Sequence, residues 1–374
     1  MDGNFMILVI NFGSTSTKIA VFNKNEPVFK VSFDHGQDGY PKKFRDLAEH
    51  EAFATELIKN TAAAHGFKMT DFDVFVARGG GQVFTESGAY LINDVMIEDT
   101  KKIGGDRHPG KLGPRIGYAF SKEYGKNAYI VNGPSVDEYD DVARLTGMPE
   151  ILRTSHIHTL NQKEVAYRYA DGVGRKYADL NLIVCHIGGG ISVTAHKNGR
   201  MIDSTDIIEG DGPMSPTRSG ALPAIPLVEL CYSGKYDKEA LMLKIVKTGG
   251  LMGLLGTDDL REVLRRIDGG DKFAGIAYET MIYQIAKYAG SMAVALDGAV
   301  DAILLTGGMA RSSELVGALT RKLSWLAPVA AFPGEFEMEG LAAGIMRVVD
   351  GGEPVREYTG VDVWTGFEGR EGVT

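Results

Sequence analysis

The chain has 374 residues, 44% hydrophobic and 24% charged, with a formal net charge of -9. That length favours two domains over a single core, and the acidic balance, with no basic stripe, excludes a protein that holds nucleic acid through clustered Lys and Arg. Its two cysteines, Cys185 and Cys231, are too few for a disulfide framework or a cysteine zinc site, so a reducing cytoplasm is the expected setting.

In chain order, β-rich runs at Met6–Asn11 and Lys18–Phe22 flank a loop of Gly and small hydroxyl residues, with no signal-peptide pattern before them. Further strands are expected at Val28–Phe33, Val74–Ala77 and Ala128–Val131, with helical patterns between the later ones: a hairpin-led α/β unit. A polar helical stretch, Leu160–Tyr177, precedes a second series of similar order. It comprises Leu182–Ile187, a Gly188-Gly189-Gly190 loop, Ile191–His196 and Arg200–Ser204, then helices and strands at Ala302–Leu305 and Val329–Phe332. The architecture repeats although the sequence does not. The expected domains are 1–160, completed by the segment 335–374, and 161–334. Phe273–Leu296, the longest apolar candidate, contains the charges Glu279 and Lys287 and has apolar residues near helical spacing, so it reads as a buried helix and no membrane span is expected.

Many of the 48 glycines stand at strand ends, as in Gly79-Gly80-Gly81, Gly188-Gly189-Gly190, Gly249-Gly250 and Gly307-Gly308. Singly, each is as well explained by a tight turn; together they suggest several backbone loops approaching one ligand. A P-loop is excluded because Thr17 stands where its second Gly is needed, and no G-x-G-x-x-G follows a strand. What remains is strand–loop–strand: Gly13 turns the backbone while Ser14, Thr15, Ser16 and backbone N–H groups offer donors to phosphate oxygens. Gly188–Ser192 offers the same chemistry. A third loop, Leu305–Ser313, leads to a helix whose N-terminal dipole favours anions.

Two such hairpins in paired domains, with a Gly-Gly loop before a helix, follow the plan of the sugar kinase–actin–Hsp70 superfamily. Asn11–Lys18, Arg78-Gly79-Gly80-Gly81, Val136-Asp137-Glu138, Pro149-Glu150, His158–Lys163, His186–Val193, Gly210–Pro223 and Pro333-Gly334-Glu335 occur in that order. Together they closely resemble the acetate kinase family, and its butyrate kinase branch in particular. The resemblance implies two RNase H-like (actin-like ATPase) domains with an inter-domain active-site cleft, ATP/ADP with magnesium, and a homodimer. It also implies reversible, direct in-line phosphorylation of a short-chain carboxylate, butyrate foremost. The alternatives are a kinase for isobutyrate, propionate or acetate, or a catalytically weakened nucleotide-binding scaffold.

A carboxylic acid is already ionised near neutral pH, so such a reaction needs no strong base. It needs cations and hydrogen-bond donors where two anions meet, and the fixed fork of arginine suits that task. A strand-end Arg alone more often makes a surface salt bridge, and a lone His more often a structural hydrogen bond. The resemblance weighs against both for Arg78, His158, Arg218 and Asn132 as catalytic residues, with Arg78 and His108 binding the acid. It assigns the nucleotide to Asn11, Gly13, Ser14, Thr15, Ser16, His186, Gly188, Gly189, Gly190, Asp259, Arg261, Gly307 and Gly308, and the metal to Glu337 and Asn132. The segment around Asp259 otherwise reads simply as a helix start capped by Thr257 or Asp258. His156 belongs to no such motif. Asn132 stands where the family usually has Asp, removing a charge from the metal site, so reduced or altered activity is expected. Phe12 replaces a usual Pro, and His108-Pro109-Gly110-Lys111-Leu112-Gly113 departs from the usual acyl-pocket sequence, which leaves the choice of acid open.

Overall fold

The computed structural model describes residues 3–13, 15–37, 39–103 and 108–368. In chain order the elements are β1 (Met6–Phe12), β2 (Ser16–Asn23), β3 (Glu26–Asp34), α1 (Leu47–Ala64), β4 (Val74–Ala77), β5 (Ala89–Leu91), α2 (Asp94–Lys102), α3 (Leu112–Tyr124) and β6 (Asn127–Val131). There follow α4 (Thr159–Gly172), β7 (Asn181–Ile187), β8 (Ile191–Lys197), β9 (Arg200–Ser204), α5 (Ala224–Tyr232), α6 (Lys238–Val246), α7 (Gly250–Leu255), α8 (Leu260–Asp268) and α9 (Lys272–Ala295). The last are β10 (Ala302–Gly307), α10 (Ser313–Leu323), β11 (Val329–Pro333), α11 (Glu337–Val349) and β12 (Val355–Arg356).

These elements form two units. The first, up to Asp137 together with Phe336–Thr365, holds a sheet of order β12-β5-β6-β4-β1-β2-β3. The second, Glu138–Glu335 with residues 366–368, holds a sheet of order β11-β10-β7-β8-β9. In the first, β1, β2 and β3 pair antiparallel and β4 and β6 extend the sheet parallel to β1. In the second, β7, β8 and β9 repeat the antiparallel trio and β10 and β11 the parallel extension. The repeat expected from the order of the runs is thus a repeat of topology.

The opening strands explain why the pattern was readable. Ile7–Phe12 and Leu182–Ile187 are buried without a break, as required of a strand with neighbours on both edges and helices on both faces. In the first unit Leu8, Ile10 and Phe12 share a core with Phe75, Leu112 and Phe120, while α11 lies along β1, β4 and β6. In the second, Cys185 and Ile187 share a core with Ile285, Leu305 and Leu319, and α4 lies along β7 and β10. Each such aliphatic or aromatic side chain contributes about 1.5–3 kcal/mol by leaving water.

The division falls between Asp137 and Glu138, upstream of the expected boundary at 160, because α4 packs within the second unit. Buried Glu138 also belongs there: its Oε2 accepts from Lys163 Nζ and from Met201 N, each at 2.8 Å. α4 ends at Gly172, earlier than the expected Tyr177, which instead opens a short 3-10 turn. The strands β5 and β12 were not expected, being too short to show a period. The apolar stretch at Phe273 forms α9, capped by Asp271, whose carboxylate accepts from Phe273 N and Ala274 N. Among the described residues no helix is long and apolar enough to cross a membrane.

Candidate active site

In the second unit the turn from β7 to β8 is built on three glycines, and each has a different task. Gly188 N–H donates back across the turn to Gly190 O at 3.1 Å. Gly189 O is gripped from outside the sheet, accepting from Ser215 Oγ at 2.6 Å and Thr217 Oγ1 at 2.9 Å. Gly190 makes room for Arg218: a Cβ there would lie 1.3 Å from Arg218 Nη1 and 2.4 Å from its Cζ. The guanidinium therefore meets the glycine turn with its Nη1 end. Its Nη1 is buried with no hydrogen-bond partner, and burial pulls its pKa below the usual guanidinium range against the opposing charge of Asp206. A desolvated cation with an unmet donor is a site prepared for an anion.

Beside this turn stand two stacked imidazoles, His158 and His186, with ring centroids 3.7 Å apart and planes 9° apart. His158 Nδ1 lies 2.9 Å from Ser192 Oγ, and His186 Nδ1 lies 2.9 Å from Asn161 Nδ2. The family resemblance implies that His158 adjoins the transferred phosphoryl and His186 the nucleotide; the structure brings the two rings face to face.

A cavity of about 510 Å³ in the same unit is lined by residues far apart in sequence, among them Gly189, Asp259, Arg261, Leu264, Gly308 and Met309. Four residues expected to hold nucleotide therefore share one apolar-walled pocket of ligand size. Asp259, rather than Thr257 or Asp258, caps α8, accepting from Arg261 N at 2.9 Å. It also forms a two-pronged pair with the Arg261 guanidinium at 2.9 and 2.7 Å, and these bonds draw its pKa down to about 2.

Gly307 and Gly308 divide their roles. Gly307, at φ 94, has Ile187 O where a Cβ would sit, at 2.4 Å, so it is there for close strand approach, whereas Gly308 faces open space. The loop does not run directly into a helix N-terminus as expected. A 3-10 turn, Gly308–Arg311, intervenes, and α10 is capped by Ser312 with Glu314 in its first turn. That acid accepts from the Ser312 and Ser313 hydroxyls, so the dipole already has an anion.

In the first unit, Asn11 at the end of β1 donates through Nδ2 to Glu337 Oε2 at 2.7 Å. Arg78, just past β4, reaches the same carboxylate at 3.5 Å. Glu337 opens α11, where the positive end of the helix dipole favours a carboxylate. Of the neighbouring acids, Glu339 is paired with Lys30, so Glu337 is the acid placed with Asn11 and Arg78. Asn11 Oδ1 is buried and lacks a partner. His108 Nδ1 accepts from Gly110 N at 3.2 Å, so its ring hydrogen sits on Nε2. Burial, then the charges of Arg78 and Lys111, lowers its pKa and keeps it neutral.

Two expectations change here. Asn132 adopts φ 44, a left-handed conformation that Asn tolerates, and its Oδ1 accepts from Gly88 N at 2.8 Å. Its carbonyl thus serves a backbone turn. Gly13 N–H donates to Ser16 O at 2.9 Å, closing its own hairpin as Gly188 does. Thr15 O accepts from His35 N and Ser16 begins β2; Ser14 lies outside the described residues.

The sequence gives no role to Asn161, Gln162, Ser215 or Thr217, and offers Ser192 only as a donor to phosphate, whereas these residues hold the histidines and the glycine turn. One signal was available for the first two. They stand three and four residues after His158, a spacing that puts side chains on one helix face.

Residues 149–327 match the acetokinase family. The chain is 42% identical over 355 residues to "Probable butyrate kinase" of Clostridium botulinum (strain Alaska E43 / Type E3), covering 95% of this chain and 100% of that one. It is also 42% identical over 354 residues to "Probable butyrate kinase 2" of Caldanaerobacter subterraneus, covering 95% and 99%. Among solved structures, Porphyromonas gingivalis acetate kinase superposes with a TM-score of 0.73 at 20% identity, over 92% of this chain and 99% of that one. A propionate kinase from Francisella tularensis gives 0.70 at 20%, over 91% and 98%. The chain belongs to the acetokinase family, ATP-dependent carboxylate kinases built on the actin-like ATPase fold.

Proposed function

We propose that this kinase transfers the γ-phosphoryl of ATP to butyrate, reversibly, giving butyryl phosphate and ADP. The acid is taken from the relatives whose full length the chain covers at 42% identity. The observation that carries the chemistry is the Arg218 guanidinium, laid on Gly190 with Nη1 buried and unpartnered.

A carboxylate oxygen of the acid attacks the γ-phosphorus in line. The new O–P bond forms as the bond to the β–γ bridging oxygen breaks, and that oxygen leaves with the electron pair on ADP. No proton is removed, because the acid with a pKa of about 4–5 arrives ionised. Catalysis therefore lies in holding two anions together. Arg78 and the Nε2–H of neutral His108 bind the carboxylate, the 510 Å³ pocket takes the adenosine, and Arg218 with His158 and His186 receives the charge of the transferred phosphoryl. Asn11 Oδ1 and the Glu337 carboxylate are oxygen donors of the kind magnesium prefers, and the unmet Asn11 acceptor fits a cation or its bound water. When bound, the metal supplies positive charge to the phosphate oxygens.

The test is a panel of acids with ATP, magnesium and hydroxylamine, which traps acyl phosphate as a coloured hydroxamate. Strong colour with butyrate and little with acetate is expected. Nucleotide binding with no colour for any acid would replace this reading with a binding scaffold.

The same reading includes a cytoplasmic homodimer. Its support is α5, an apolar helix with no buried residue, where Ile225 is 71% and Tyr232 88% exposed. Such a helix is costly to leave in water. Sedimentation at micromolar concentration should give twice the mass of one chain; a monomer would refute the pairing.

A further inference from the structure

Two hydrogen-bond chains end on the stacked imidazoles, and donor counting fixes the direction of each. In the first, Gln162 Oε1 faces His196 Nε2 at 2.9 Å, and Gln162 Nε2 faces Ser192 Oγ at 2.7 Å. The same Nε2 lies 3.5 Å from Ser192 O, an acceptor only, so the amide nitrogen is correctly the atom on that side. His196 is fully buried and its pKa is pushed down to about 3 by desolvation and by Lys163, so the ring is neutral. Since Gln162 Oε1 can only accept, His196 carries its hydrogen on Nε2. Its Nδ1 then accepts from Tyr177 O–H at 2.6 Å. Ser192 has no exposed surface and its Oγ has two partners, Gln162 Nε2 and His158 Nδ1. The first donates, so the buried hydroxyl hydrogen goes to the second. His158 Nδ1 is thereby an acceptor.

The second chain arrives at the same answer for the other ring. Thr306 Oγ1 donates to Gly334 O at 3.2 Å, so it must accept from Asn161 Nδ2 at 3.1 Å. That orients the amide, and the same nitrogen donates to His186 Nδ1. Asn161 and Gln162 are consecutive residues of the first turn of α4; one turn of helix sets both rings.

We propose that Gln162 and Ser192, with His196 and Tyr177 behind them, and Asn161 for the second ring, are positioning residues that lock His158 and His186 in the tautomer with hydrogen on Nε2. Each ring of the stack then presents a neutral N–H donor, and the pair avoids placing two imidazolium charges 3.7 Å apart. That these donors serve the transferred phosphoryl rests on the function proposed above; the tautomer itself does not.

The test begins with the native enzyme, by two-bond ¹H–¹⁵N correlation of the imidazole rings, assigned with His158→Gln and His186→Gln. Both rings are expected in the Nε2–H form, and an Nδ1–H form or an even mixture for His158 overturns the proposal. Gln162→Glu then replaces the donor to Ser192 by an acceptor. The Ser192 hydrogen should turn to the new carboxylate, forcing His158 to donate from Nδ1 and removing its Nε2–H. The expected result is a switched His158 signal and a kcat lower by about 10²-fold, with the KM for ATP within about threefold. Ser192→Ala, a smaller change, should leave His158 as a tautomer mixture with an intermediate loss of kcat. An unchanged His158 signal in both variants would overturn the relay. If the native tautomers are as stated but no acid is phosphorylated, the function fails and the relay stands.

Discussion

Arg218→Ala is expected to lower kcat by about 10³-fold while leaving the thermal midpoint unchanged or slightly raised. The two halves of that result come from one observation. A structural arginine is recognised by saturated donors, as in Arg153, which binds Asp203 and Asp211 and two backbone carbonyls; removing it would loosen the fold. Arg218 is the reverse, half-buried against Gly190 with its Nη1 buried and unmet. Its desolvation is a standing cost of the folded state that an incoming phosphoryl oxygen offsets, so truncation relieves the protein and harms the reaction. Arg218→Lys should recover little, because an ammonium lacks the planar fork whose Nη1 end meets the turn. Melting curves and steady-state rates on the same preparation decide it. A midpoint lowered by several degrees with kcat within tenfold of native would make Arg218 a structural residue and remove it from the site.

The strands were legible because the physics that forms them is local. Buried central strands such as β1 and β7 must be apolar on both faces, and the glycines between paired strands mark where the chain turns. What could not be read was anything decided by tertiary approach. Gly190 and Arg218 lie 28 positions apart, and no period links them; the Gly-Gly-Gly run indicated a tight turn but not that its third member makes room for a guanidinium. Asn132 shows the same limit from the other side. Its residue type alone does not show that, at φ 44 and bonded to Gly88, it also holds a backbone turn. The short strands β5 and β12 depend on pairing with their neighbours, not on pattern. Likewise, the 3-10 turn at Gly308 and the Ser312 cap turned an expected anion-binding helix end into a self-capped one.

Gly190→Ala should reproduce the Arg218 phenotype without touching the arginine. A methyl group at this position would overlap the Arg218 guanidinium, 1.3 Å from Nη1, and one of the two must move. Gly190 is not among the glycines at positive φ, so the backbone accepts alanine without strain. The overlapping atoms are the tip of a flexible side chain, so the guanidinium leaves the turn and the fold survives. The expected outcome is a thermal midpoint within a few degrees of native and a kcat reduced by about 10²–10³-fold. The double variant Gly190→Ala/Arg218→Ala should be no slower than the worse single one, because both remove the same interaction. Gly307→Ala supplies the contrast. That residue has φ 94, and its Cβ would meet the Ile187 backbone oxygen at 2.4 Å, which has nowhere to go, so destabilisation should precede any effect on rate. Losses that multiply in the double variant would show that Gly190 acts on the reaction by some route other than seating Arg218.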